Sequence, residues 1–190
     1  MKVYFAASFR GIKYYSKFYS GIYNSLEALG AKHLEKTLIH KDEEHAYRNL
    51  EKGGVEAYTQ FFNQTIKHIK TADVNVFDST MPSLGIGFQV EKSLEFNKPT
   101  VVLYLKGHLP HFIAGTNSDK LILMEYDEKT LEDVVKKAVN SARVIADKRF
   151  NFFISPSYLT YLERISQKKG LTKSAFIRQL LHDYMKKNPL

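Results

Sequence analysis

The sequence predicts an α/β protein: a layered domain with a parallel sheet, followed by a small module of one strand and two helices. Short apolar runs that do not alternate with polar residues recur between helix-length segments, which is typical of parallel strands covered on both faces. Apolar residues make up 44% of the 190 residues, enough to bury a substantial core. After residue 146 the apolar pattern changes to a period of two, which indicates a strand with one buried face.

Alternating strands and helices are predicted over residues 1–147, the layered domain. The segments that we interpret as strands are 3–7, 32–39, 74–77, 100–105 and 121–124. The helix-length segments are 13–29, 55–70, 84–96 and 131–146. Asp42, Glu43 and Glu44 indicate a helix start, because acidic side chains are favourable near a helix N-terminus. Residues 108–119 are expected to be weakly structured.

Residues 148–190 are predicted to form a second, smaller domain. Its strand, 149–154, has an outward face that carries Arg149, Asn151 and Phe153. Ser155 and Thr172 are expected to cap two helices with apolar stripes. About 40 residues with a single strand cannot close a core alone. We therefore expect a homodimer or a higher even oligomer.

The excess of positive charge lies almost entirely in the second domain. The chain has 28 Lys and Arg against 20 Asp and Glu, a net charge of +8. Residues 148–190 contain nine basic and two acidic residues and so account for +7 of it. Such asymmetry favours an anionic partner, nucleic acid first and a membrane surface second. The alternative is a basic face that only keeps the domain solvated.

Composition excludes several classes of protein. The absence of cysteine rules out disulfide scaffolds and thiol catalysis. The longest uncharged apolar stretches, such as 100–105, are far shorter than a membrane span. No secretory cleavage pattern is found, so a cytoplasmic protein is expected. His108 and His111 have no carboxylate at metal-ligand spacing, and we expect neither a metal site nor a cofactor.

Two stretches of the layered domain carry chemical signal. Residues 4–11, Tyr-Phe-Ala-Ala-Ser-Phe-Arg-Gly, are a strand that runs into a polar turn. Residues 72–78 and 82–89 combine a buried strand with the sequence Pro-Ser-Leu-Gly-Ile-Gly-Phe-Gln. Ligands of open α/β sheets bind outside the carboxyl ends of the strands, where both turns lie. A ligand site is therefore expected between them.

Together these stretches resemble the nucleoside 2-deoxyribosyltransferase family, most of all its 2'-deoxynucleoside 5'-phosphate N-hydrolase branch, over roughly residues 1–128. The resemblance implies a Rossmann-like or flavodoxin-like fold and cleavage of the bond between base and deoxyribose. A glutamate in the pattern G-x-G-x-E is the nucleophile in that family. Gln89 stands at this position. Because a neutral amide supplies neither charge nor a nucleophilic oxygen, cleavage by the family route should fall by orders of magnitude.

The resemblance also implies roles for other residues. Tyr4 matches a tyrosine near the reacting sugar, and Thr65 stands where the hydrolase branch has an aspartate that orients the sugar. Asp78 is expected to face the crevice and to bond a ribose hydroxyl instead. The residues expected to bind the ligand, with a 5'-phosphate on Ser8, Arg10 and Ser83, are Ser8, Phe9, Arg10, Gly11, Ser83, Gly85 and Gly87.

Three explanations of Gln89 remain open. The protein is a natural nucleotide binder that has lost cleavage, or it uses another residue for the chemistry. Alternatively, a glutamate was exchanged for glutamine to silence a toxic hydrolase while keeping the shape of the side chain.

The second domain resembles ribbon-helix-helix DNA-binding domains of the Arc and CopG type, over residues 148–188. In that family two chains pair their strands and lay the ribbon in the major groove. The resemblance implies that Arg149, Asn151 and Phe153 face the bases, although Phe153 cannot hydrogen-bond to them. A DNA phosphate would be anchored at the start of the last helix by Thr172, Lys173 and Ser174.

The joined architecture supports two functional hypotheses of different classes. In the first, a nucleotide or nucleoside bound to the layered domain alters DNA binding by the ribbon-helix-helix module. In the second, the protein is an N-glycosidase or deoxyribosyltransferase, a toxin or defence effector, seen in an inactive Glu-to-Gln form. A structural dimer whose basic domain binds a protein partner is a third possibility.

Overall fold

The computed structural model describes residues 1–36, 43–146 and 152–188. The chain divides into two compact units, Met1–Asp147 and Lys148–Leu190, and we describe each by itself.

The first unit contains a five-stranded, all-parallel sheet in the order β2-β1-β3-β4-β5. The strands are β1 Lys2–Ala7, β2 Lys32–His33, β3 Val74–Asp78, β4 Thr100–Leu105 and β5 Leu121–Tyr126. The predicted α/β class with a parallel sheet is therefore confirmed.

Helices flank this sheet. They are a short 3-10 helix Phe9–Gly11, α1 Ile12–Ala28, α2 Glu43–Thr71, α3 Leu84–Glu95, α4 His111–Ala114 and α5 Leu131–Ile145. The core has two parts, one on each face of the sheet. Phe5 and Val76 belong to the part that includes residues of α1 and α5, whereas Tyr4 and Phe77 belong to the part that includes residues of α2 and α3. Neighbouring residues of one strand therefore serve opposite faces.

Two elements differ from the prediction by more than two residues at one end. Residues 32–39 were predicted as one strand, but β2 contains only Lys32 and His33, residues 34–36 are not strand, and 37–39 lie outside the described residues. α2 begins at Glu43, as the acidic residues indicated, well before Val55. Gly54, with φ 57° and ψ −150°, interrupts it. Only the part after this break has the clear apolar periodicity that a sequence reveals.

The second unit contains α6 Pro156–Lys168 and α7 Lys173–Lys187. Both helices begin where the sequence predicts, and the Thr172 hydroxyl accepts a hydrogen bond from the Ala175 amide at 3.2 Å. Large apolar side chains of the helices are exposed, namely Leu159, Leu180, Leu181 and Tyr184. The strand predicted at 149–154 is not formed over its described part, 152–154, because a strand needs a neighbouring strand to pair with.

Candidate functional site

A cavity of about 1030 Å³ opens at the carboxyl ends of β1 and β3. Its wall includes residues from β1, from the turn after it, from α2 and from the beginning of α3. This is the edge of the sheet where open α/β folds bind ligands. Of the predicted site residues, the cavity brings together Tyr4, Ser8, Phe9, Arg10, Thr65, Ser83, Gly85 and Gln89.

Tyr4 and Gln89 are hydrogen-bonded inside the cavity. The Tyr4 hydroxyl donates to Oε1 of Gln89 at 2.8 Å. Tyr4 is only 4% exposed, and burial raises the pKa of its phenol well above the usual value, so it remains a donor at neutral pH. Because the amide oxygen accepts from Tyr4, the amide nitrogen of Gln89 is the atom that can donate to a ligand.

Two polar turns that suit an anion, one at Ser83 and one at Ser8 and Arg10, line the same cavity, and we call them together the anion-binding turn. Ser83 is the N-cap of α3, and its hydroxyl accepts from the Ile86 amide at 3.4 Å. The start of α3 therefore presents backbone N–H groups and the positive end of the helix dipole. Ser8 and Arg10 line the same cavity from the turn after β1. This arrangement suits a phosphate group.

The anion-binding turn and the Tyr4–Gln89 pair lie at opposite ends of the cavity, and α2 and α3 run from one end to the other. On α3, Gln89 lies six residues after Ser83, about 9 Å along the helix axis. α2 runs antiparallel to β1, since its Phe61 ring lies 6.5 Å from Phe9 and its His68 ring lies 5.6 Å from Tyr4. The anion-binding turn thus occupies one end, and the Tyr4–Gln89 pair occupies the other.

The sequence did not reveal a further group of polar side chains at the Tyr4 end. His68 is 9% exposed, its Nε2 lies 2.8 Å from Nε2 of Gln64, and its Nδ1 lies 3.9 Å from Oε2 of Glu35. Burial lowers the pKa of His68. Thr65 lies on the same side of the cavity. Residues 61, 64, 65 and 68 share one face of a helix, so the sequence could have indicated that His68 lies in the cavity. Glu35 follows a strand of only two residues, and no pattern in the sequence marks it.

Gly11 and Gly87 do not line the cavity, contrary to the prediction. Gly11 is buried, and a Cβ added there would lie 1.9 Å from the Tyr19 hydroxyl oxygen. The absence of a side chain at this position thus allows Tyr19 to pack. Gly87 lies in the first turns of α3, where its amide donates to the Ser83 carbonyl at 3.0 Å.

Asp78 does not face the crevice, so that prediction is wrong. It is 0% exposed and is not part of the cavity wall. The Tyr126 hydroxyl donates to its Oδ2 at 2.7 Å, and the Thr80 amide donates to its Oδ1 at 3.0 Å. Burial raises the pKa of Asp78 to about 6. Both oxygens are already bonded within the fold, which leaves Asp78 a structural role.

The residues predicted to bind DNA are only partly described. Arg149 and Asn151 lie outside the described residues, and Phe153 is fully exposed. At the start of α7 the Thr172 hydroxyl caps the helix, Lys173 Nζ forms an ion pair with Glu163 at 2.7 Å, and Ser174 is exposed. An anion at this helix end would therefore compete with Glu163 for Lys173.

Among the described residues, no three His, Asp or Glu side chains gather in a way that could hold a metal ion. No helix in the described ranges has both the length and the apolar character to cross a bilayer.

Comparison with known proteins identifies relatives whose names refer to nucleotide N-hydrolases. No family model matches the chain. It is 29% identical over 128 residues to a protein of Syntrophotalea carbinolica that carries the provisional name 2'-deoxynucleoside 5'-phosphate N-hydrolase 1, covering 67% of this chain and 85% of the relative. A protein of the same provisional name from Thermofilum pendens is 27% identical over 144 residues, covering 72% and 92%.

A third relative and a solved structure have names that also refer to an N-hydrolase or an N-glycosidase. The 5-hydroxymethyl-dUMP N-hydrolase of Tetraodon nigroviridis is 22% identical over 143 residues, covering 72% of this chain and 95% of the relative. The structure of Clostridium botulinum CMP N-glycosidase aligns with a TM-score of 0.50 at 14% identity, covering 72% of this chain and 97% of that one. These likenesses support a deoxyribosyltransferase-like α/β fold.

Proposed function

We propose that the first unit binds a nucleoside 5'-monophosphate and that Gln89 impairs cleavage of its N-glycosidic bond. One observation carries this proposal: a single cavity combines an anion-binding turn at Ser8, Arg10 and Ser83 with the Tyr4–Gln89 pair about 9 Å away along α3. The phosphate would lie on the turn, and the sugar would reach Tyr4 and Gln89. The names of the relatives, which refer to nucleotide hydrolases and a glycosidase, agree with this class of ligand.

Gln89 explains why binding, rather than turnover, is the primary function. In place of a carboxylate that could attack the anomeric carbon, the cavity offers an amide whose oxygen is bonded to Tyr4. The amide can still hold the sugar through its nitrogen. Loss of the nucleophile therefore leaves recognition largely intact.

Calorimetric titration with a panel of ribo- and deoxyribonucleoside 5'-monophosphates tests the binding proposal. We expect at least one to bind, and we expect Arg10→Met to weaken that binding about tenfold because a charged phosphate contact is lost. Free-base release is then compared for the wild type, Gln89→Glu and Gln60→Glu. Gln60 also lines the cavity, so the third protein controls for an added carboxylate.

We expect base release to rise by at least about 100-fold in Gln89→Glu and to stay at background in Gln60→Glu. If no nucleotide binds, the proposed function is wrong. If nucleotides bind but Gln89→Glu stays inactive, position 89 is not where the chemistry was lost.

An active N-glycosidase, such as a toxin or defence effector, is the second candidate. The observation that favours it is Glu35, a carboxylate in the cavity wall on the same side as His68. A second carboxylate could take over part of the chemistry that Gln89 cannot perform. Base release by the wild type that disappears in Glu35→Gln would establish this reading, and a wild type that releases no base from any nucleotide would end it.

We also propose that the second unit forms a ribbon-helix-helix homodimer that binds DNA. Its net charge of +7 and the exposed Leu159, Leu180, Leu181 and Tyr184 support this, because a second copy would cover such an apolar face. Light scattering should give a dimer. DNA affinity should fall steeply with salt concentration and in Arg149→Ala. A monomer, or DNA association without salt dependence, would contradict the proposal.

Ligand and DNA binding are proposed to be coupled. By thermodynamic linkage, a nucleotide that changes DNA affinity must itself bind with an affinity that DNA changes by the same factor. DNA-binding isotherms measured with and without the nucleotide that binds most tightly should therefore differ. Identical isotherms would mean that the two units act independently.

A further inference from the structure

The cavity has a second cation, which the proposed phosphate contacts do not use. Lys67 lines the cavity from α2, while Arg10 lines it from the turn after β1. Within the described ranges, neither of these two side chains is held in an ion pair. Glu35 also lines the cavity on the side of His68, so the Lys67 end carries one cation and one carboxylate, whereas Arg10 is the cation at the other end.

The two cations lie toward opposite ends of the cavity. Arg10 follows Phe9, whose ring lies 6.5 Å from Phe61, whereas Lys67 precedes His68, whose ring lies 5.6 Å from Tyr4. Phe61 and Lys67 are six residues apart on α2, about 9 Å along its axis. A ligand with one phosphate on Arg10 would therefore need a second anionic group to use Lys67.

The size of the cavity leaves room for a nucleotide that carries a second phosphate. Sites that bury drug-sized molecules hold roughly 300 to 1,000 Å³. At about 1030 Å³, this cavity is at the upper limit of that range. The α2 wall of the cavity also includes the amides of Gln60, Asn63 and Gln64, which suit the polar edges of a sugar and a base.

We infer that the preferred ligand is a nucleotide with a phosphate on both its 5' and its 3' oxygen, and that Lys67 holds the 3' group. This inference rests on the proposed function for the 5'-phosphate. The 5' and 3' phosphates of one nucleotide lie on opposite sides of its sugar. They can therefore reach Arg10 and Lys67, which lie toward opposite ends of the cavity. Such a ligand is either a free nucleoside 3',5'-bisphosphate or the 5'-phosphorylated end of a nucleic-acid strand.

Titration of the full chain with three ligands of the same base tests the inference. They are the 5'-monophosphate, the 3',5'-bisphosphate and a 5'-phosphorylated dinucleotide, which is too short to occupy a DNA-binding ribbon. We expect the bisphosphate to bind about tenfold more tightly than the monophosphate at low salt, with the difference shrinking as salt screens the added charge. Tight binding of the dinucleotide as well would identify a strand end, and its weak binding would identify the free bisphosphate.

Two variants assign the effect to Lys67. Lys67→Met keeps a long apolar stem without the charge, and Lys67→Glu reverses the charge; the position is exposed, so neither should disturb folding. Both should remove the tenfold preference and leave monophosphate affinity within about twofold, whereas Arg10→Met should weaken all three ligands.

Equal affinity of the wild type for monophosphate and bisphosphate would overturn the inference. So would a loss of monophosphate affinity in Lys67→Met, because Lys67 would then serve the base or the 5'-phosphate. If no ligand of the panel binds, it is the proposed function that fails.

Discussion

Replacement of Asp78 by asparagine should change how the stability of the first unit depends on pH. Asp78 is 0% exposed, and burial raises its pKa from 3.8 to about 6 in the fold. The folded state therefore binds this proton more tightly than the unfolded chain does. The contribution of Asp78 to the stability of the fold is fully present below pH 3.8. It is lost as pH rises through about 6, because the buried side chain then ionises.

The size of the effect follows from the two pKa values. The rise from 3.8 to about 6 corresponds to about 3 kcal/mol of folding free energy, of which roughly half is lost between about pH 5 and 8. Asp78→Asn removes this titration. Because Thr80 Oγ1 lies 3.3 Å from the Tyr126 hydroxyl, that hydroxyl can turn to donate there and accept from the new amide.

Urea unfolding of the wild type and of Asp78→Asn at several pH values between about 5 and 8 measures the effect. We expect the variant to gain about 1 to 2 kcal/mol relative to the wild type across this range. Asp119→Asn, at an exposed position, controls for loss of one carboxylate. Parallel curves for the wild type and Asp78→Asn would refute the view that Asp78 is buried at a cost when ionised.

Three further variants test other contacts. Tyr4→Phe removes the donor to Gln89 and should weaken nucleotide binding by about three- to tenfold in calorimetry; unchanged affinity would mean that the pair does not shape the site. Gly11→Ala places a methyl group 1.9 Å from the Tyr19 hydroxyl oxygen and should lower the free energy of unfolding in urea by about 1–3 kcal/mol. The double variant Gly11→Ala/Tyr19→Phe should recover part of this loss. If the double variant is as unstable as Gly11→Ala, the clash with the hydroxyl is not the cause. Thr172→Ala should cost about 1 kcal/mol and speed hydrogen exchange at the start of α7, and unaltered exchange there would show that the cap contributes nothing.

The elements that sequence predicts well here are those with one dominant physical cause. β3 is buried along its whole length, and Val74, Val76 and Phe77 mark it in the sequence although Asn75 interrupts the apolar run. The residues before α6 and α7 are N-cap types, and both helices begin there. The first part of α2 was less clear, because the break at Gly54 separates it from the strongly periodic part.

The candidate site was predictable where a contiguous motif builds it. Ser8, Arg10, Ser83 and Gln89 lie in two short stretches that the parallel order of β1 and β3 brings together. Asp78 was misplaced because a fully buried strand gives no alternation to show which face a residue serves. Its neighbour Phe77 belongs to the cavity side, so Asp78 points the other way.

β1 places successive side chains on opposite faces of the sheet, and this alternation limits insertions and deletions within the strand. Tyr4 serves the cavity side, whereas Phe5 fills the core beside α1 and α5. Deleting or inserting one residue within the strand would exchange these two roles, removing the phenol from Gln89 and turning it into the core beside α1 and α5. Homologues are therefore expected to tolerate changes of side chain in this strand far better than changes of its length.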